Sequence, residues 1–148
     1  MREPRAQAKE EDRPKLSRED YVAIIERGDA QRLVGQAEAI GKYLAKVKFP
    51  TSQIRGIFGT VRRIEMNWDE GMPPDKQLWA QRELLLLKPK LAYQAARHKK
   101  QTGGQGMDLL KDVLSDAIER VGEDRERFRH FVDFFEAILA YHRAYGGD

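Results

Sequence analysis

The sequence predicts an all-α protein, a bundle of five to six helices, and three observations carry that expectation. Apolar residues recur at intervals of three and four along most of the chain. No stretch alternates with a period of two over a useful length, and no hairpin dipeptide joins two β-branched runs. At 148 residues the chain is long enough for a single domain with a real core.

Residues 1–16 mix both charge signs, contain two prolines and have almost nothing to bury, so a disordered charged tail is expected there. The helical domain is expected over 17–148. In "SREDYVAIIERG", Ser17 is an N-cap with Asp20 in the first turn, and Gly28 is the stop. Leu33, Ala37, Ile40, Leu44 and Val47 then form one buried stripe that Pro50 ends. Thr51 is placed to cap the next helix, whose core face is Ile54, Ile57, Phe58, Val61, Ile64 and Trp68. After the turn "MPPDKQ", Asp75 is the expected cap of a helix through Leu78, Trp79 and Leu84 to Leu87, which Pro89 should kink or restart. "KLAYQAARHKK" continues it as far as the loop "QTGGQG". Two more helices follow, one through Leu109 to Val121 and one through Phe128 to Leu139, closed by Gly146 and Gly147.

The 27 Lys and Arg and 24 Asp and Glu give a net charge of only +3, but they are unevenly placed. From Lys48 to Lys100 eleven bases face five acids, and from Asp108 to Glu136 nine acids face five bases. That split points to one surface for a polyanion and another facing elsewhere, either a solvated face or a docking surface for basic partners. The absence of cysteine removes disulfides and thiolate metal sites. With no apolar run near the length of a membrane span and no signal-peptide core, a cytoplasmic protein is expected.

The basic region holds two acid-free segments, Lys48 to Arg63 and Leu84 to Met107. In "TSQIRGIFGTVRRIE", Ser52, Arg55, Gly56, Gly59, Arg62 and Arg63 lie opposite the core face. Two interior glycines each cost about 1 kcal/mol relative to alanine, so they require a reason: clearance for an approaching strand, or clearance for a neighbouring helix. The arginines supply forked donors suited to phosphate. Gln53 sits in the first turn and Lys48 just upstream. In "LKPKLAYQAARHKK", Lys88, Lys90, Arg97, Lys99 and Lys100 join His98, and Tyr93 stands between cations in the strip Lys90, Tyr93, Gln94 and Arg97. Cations interleaved with an aromatic ring suit a nucleic-acid strand, although Tyr93 fits core packing as well. If both segments line one groove, backbone contact without sequence readout follows.

Chemistry finds less support. With three histidines and no convergent ligand set, neither a metal site nor a cofactor is expected. Arg125 and His130 have the R-x4-H spacing of HEPN-type ribonucleases, which keeps a nuclease as one alternative. A protein–protein adaptor without RNA contact is another.

Taken together, "TSQIRGIFGTVRRIE", "LLLLKPKLAYQAARH" and "FRHFVDFFEAILAYHRAYGG" resemble the small subunit of the type III-A CRISPR effector, the Csm complex, over most of 17–147. The resemblance implies a non-catalytic helical subunit of an antiviral ribonucleoprotein. Several copies would stack beside the backbone subunits and the large subunit and contact target RNA where it pairs with the guide RNA. By position, Gln53 and Arg55 match the Gln-Ile-Arg motif. Lys88, Lys90 and Tyr93 match the Lys-Pro-Lys-Leu-Ala-Tyr motif, and Arg97 and His98 extend its basic end. "FFEAILAYH" would serve packing and subunit contact. No family role carries over to Gly56 or Gly59.

Overall fold

The computed structural model describes residues 13–148, and helices account for all the regular structure of these residues. Residues 1–12 of the expected tail lie outside the described residues. Residues 13–16 run along the helix Gly104–Val121, where Arg13 reaches Asp108 at 3.0 Å and Asp112 at 2.8 Å.

Helix α1 (Arg18–Tyr21) starts on a capping box. Ser17 Oγ accepts the Asp20 N–H at 3.1 Å, and Asp20 Oδ2 accepts the Ser17 N–H at 2.8 Å. It runs into a π-helical turn, Val22–Glu26, whose wider coil buries the consecutive residues Ala23, Ile24 and Ile25. Gly28 ends it at φ +67°, and a Cβ there would stand 2.7 Å from His130 Nε2, so the position needs glycine on two counts.

Helix α2 (Ala30–Lys46) is capped by Asp29, which accepts the Arg32 N–H at 3.1 Å. Its buried stripe is the expected one, with Tyr43 added and Leu33 at the edge. Gly41 lets it approach the last helix closely, because a Cβ would lie 2.6 Å from the Tyr141 Cβ. The helix closes in a Schellman turn with Lys48 at φ +64°, where Phe49 N–H donates to Leu44 O at 2.9 Å and Lys48 N–H to Ala45 O at 3.1 Å.

Helix α3 (Thr51–Asn67) and helix α4 (Pro74–Arg97) form a hairpin through 68–73. Both are capped ahead of the expected residue, α3 on Pro50, one before Thr51, and α4 on Pro73, two before Asp75, where the ring fixes φ for helix entry. Thr51 therefore lies inside its helix. Its N–H donates to Asp148 O at 2.6 Å, and its hydroxyl is buried without a partner. Asp75 sits in the first turn of α4, favourable for the helix dipole but not a cap. Pro89 does not end α4. It is exposed, so the Leu85 carbonyl left unbonded lies on the side that water reaches.

Helices α5 (Gly104–Val121) and α6 (Arg125–Ala144) complete the bundle. Helix α6 packs on α2 with one flank and on α3 with the other. A run of rings joins it to α3: Trp68 stacks on Phe128 at 4.8 Å, Phe128 on Phe131 at 6.0 Å, and Phe58 meets Phe135 edge-on at 5.1 Å. Each such pair contributes about 0.5–1.5 kcal/mol beyond its buried area.

His142 is wholly buried in this packing. Its Nε2–H donates to Phe49 O at 2.8 Å, Gly147 lies against the ring, and Nδ1 has no partner. Burial pushes the imidazole below its ordinary value, outweighing the Phe49 hydrogen bond that favours the charged form. Above about pH 6.5 both folded and unfolded chains hold this histidine neutral. As pH falls below that value the unfolded chain takes up the proton first, so stability is lost on acidification. Thermal unfolding between pH 7.5 and 5 should show a steeper fall in Tm for the wild type than for His142→Gln, which keeps a donor for Phe49. Equal slopes would remove His142 from the cause.

Candidate nucleic-acid interface

Between α3 and α4 the surface folds into an open groove of about 310 Å³. Ser52, Gln53, Gly56 and Thr60 line it from α3 and Lys90 and Gln94 from α4, over a floor of Ile57, Leu87, Leu91 and Met107. The two acid-free segments thus meet along one trough. Helical geometry carries each wall one turn further, because residues three or four apart share a face. Arg63 follows Thr60 on α3 and Arg97 follows Gln94 on α4. Lys90 and Arg97 stand two turns apart on α4, roughly 10 Å. All three cations are exposed and have no ion pair among the described residues. Tyr93 is 64% exposed on the outer edge of the same strip, which answers its sequence ambiguity in favour of the surface.

The other expected site residues are placed apart. Arg55 is exposed and has no ion pair among the described residues, but at roughly 100° per residue it lies about a third of a turn from the groove wall, on the flank toward α6. Arg62 shares that flank, pairs with Glu65 at 3.0 Å and stands over the Phe58 ring. Lys88 projects from the opposite flank of α4 to the carboxylate of Glu119 on α5, whose acidity this lysine raises. His98 has both ring nitrogens at hydrogen-bond distance from glutamine oxygens, Gln101 at 2.7 Å and Gln94 at 3.1 Å, and so steadies one groove residue. Lys99 lines a separate cavity of about 840 Å³ with Arg13, Asp108 and Lys111. Lys48 is exposed at the turn into α3. Thr60 is a groove residue that the basic pattern does not flag, although its place four residues after Gly56 puts it on the same face.

The candidates for other chemistry are engaged elsewhere. Arg125 turns to Glu70 at 3.5 Å, while His130 Nδ1–H donates to Ile25 O at 2.8 Å and holds α6 to the π-helical turn. The nuclease-like pair therefore has two separate structural partners. No group of three or more metal-binding side chains occurs among the described residues, and no helix there is long and apolar enough to cross a membrane. The α5 acids Asp108 and Asp112 are compensated within the chain by Arg13 and Lys111.

A sequence model of the Csm2 Type III-A family matches residues 27–148. No curated protein and no solved structure matches the chain.

A Cβ built on Gly56 or Gly59 meets no other atom within 4 Å. The two glycines therefore give no clearance to a neighbouring helix of this chain, and what they leave open faces outward. Replacing either by alanine should stabilise the fold by about 0.5–1 kcal/mol in urea unfolding, the ordinary gain in an exposed helix. A loss of stability would mean that an internal contact occupies that space.

Proposed function

The chain belongs to the Csm2 family of type III-A, the small subunit of the Csm complex, and from that membership we propose that it holds target RNA, where the RNA pairs with the guide, by its phosphate backbone in the α3–α4 groove. It does so without reading sequence and without a catalytic step of its own, while joining the backbone and large subunits and further copies of itself.

One observation carries this reading. Lys90 lines the groove beside a wall that Gly56 leaves without a side chain, helical spacing carries the exposed Arg63 and Arg97 one turn beyond it, and none of the three has an ion pair among the described residues. Phosphates meet the cations. Gln53, Ser52, Thr60 and Gln94 offer hydrogen bonds to phosphate or ribose oxygens, and the apolar floor accepts a ribose edge. Tyr93 presents a ring on which a base can stack. Arg55 and Lys48 add to the field from outside the trough. In this reading the side chains are spent on phosphate and ribose, which position a strand and carry no sequence information.

A single copy neutralises few phosphates, so the test belongs in the assembled ribonucleoprotein, where repeated copies act together. Retention of target RNA across a salt series should weaken for Arg97→Glu and for Lys90→Glu, with a shallower dependence of log K on log salt, by about 0.7–0.9 for every phosphate that a copy no longer neutralises. Lys88→Ala should leave the slope unchanged, because Glu119 already holds that charge. Gly56→Leu should weaken retention without changing the slope, since it blocks the trough and removes no charge. Unchanged retention in all four would set the groove aside as the RNA site.

A further inference from the structure

On the other flank of α4 from the groove, an open cleft of about 840 Å³ lies between the end of α4 and the start of α5. Ala92, Ala95 and Ala96 of α4 line one side, with Lys99 in the turn that follows. Gln105, Asp108 and Lys111 of α5 line the other, and Tyr43 of α2 reaches the floor. The three alanines share one face of α4 and carry only methyl groups, so that wall leaves room for a backbone beside it.

Charge indicates what fills the cleft. Asp108 is the acid among its lining residues, and Arg13 and Lys111 hold both Asp108 and Asp112, one turn on, at 2.8 to 3.6 Å. Lys99 is exposed and has no ion pair among the described residues, which leaves the cleft with an excess of positive charge. Lys46, a turn beyond Tyr43 on α2, brings a further base to the rim.

Three acids adjoin this site along the chain. Glu10, Glu11 and Asp12 directly precede Arg13, itself a lining residue, and three residues span at most about 10 Å. The next base upstream, Lys9, lies beyond the triplet. Direction agrees with reach. Arg13 pairs with Asp108 and Asp112, while Leu16 shares a hollow with Asp116 and Glu119, so this segment runs parallel to α5. Residues before Arg13 therefore lead toward the start of α5, where the cleft opens. We infer that residues 10–12 seat in the α4–α5 cleft, their backbone along the alanine wall and their carboxylates on Lys99 and the Lys46 rim. A tethered segment acts at an effective concentration on the order of millimolar, so the chain's own acids hold this cleft against a polyanion. Lys99 then serves the N-terminal segment, and the α3–α4 groove stays open. The inference does not depend on RNA binding there.

NMR relaxation and NOE measurements on the RNA-free full chain at low salt test it, with circular dichroism confirming the fold of each variant. Backbone order parameters of residues 10–12 should approach the rigid value of about 0.85. NOEs should join these residues to the methyl groups of Ala92 and Ala96. Lys99→Glu should bring the order parameters below about 0.6 and remove those NOEs, and so should Glu10→Gln, Glu11→Gln and Asp12→Asn combined. Flexible residues 10–12 in the wild type, or order that survives either variant, would overturn the inference. So would NOEs that arise only between differently labelled chains, which would put the segment on a second copy. None of these results bears on RNA retention by the assembled complex.

Discussion

The ring contacts between α3 and α6 fix the roll of α3, and the rest of the surface follows from that angle. Trp68 on Phe128 at one end and Phe58 on Phe135 further along hold the helix at two points, so it cannot turn about its axis without breaking both. With Ile54, Val61 and Ile64 buried by the same constraint, Gly56 is left facing outward beside α4. A rotation of one residue's worth, roughly 100°, would exchange the glycine wall for the arginine flank.

The same roll divides the basic residues. Two cations two positions apart on a helix point to nearly opposite sides, so Lys90 enters the groove while Lys88 crosses to Glu119. On α3, Arg63 continues the groove wall, while Arg55 and Arg62 look toward α6. A field of positive charge therefore covers more of the molecule than the trough itself. The trough is where that field meets space for a backbone, and a phosphate can approach there without displacing an existing ion pair.

Much of this is legible in the sequence. The stripes of α2, α3, α5 and α6 follow their periods closely, because each has one core face and a charged remainder. The glycine face of α3 is visible for the same reason. Helix α4 is harder to read, since Leu84 to Leu87 fills both its sides and the period alone does not say which leucines go inward. The caps of α3 and α4 fall on Pro50 and Pro73 because the proline ring sets the entry angle ahead of the polar residue. The π-helical turn at Val22–Glu26 depends on His130 and the core beneath it, which are distant in sequence. The pairing of Lys88 with Glu119 is likewise long-range, 31 residues apart, and no local pattern announces it.

The groove's occupancy by RNA is tested most directly by photo-crosslinking. Target RNA substituted with 4-thiouridine would be irradiated in the assembled complex and the attached peptides of this subunit identified by mass spectrometry. The account predicts attachment to residues 52–63 of α3 and 87–97 of α4, on the sides that line the trough. Attachment confined to α5 or α6, or to the flank of Arg55 and Arg62, would contradict it.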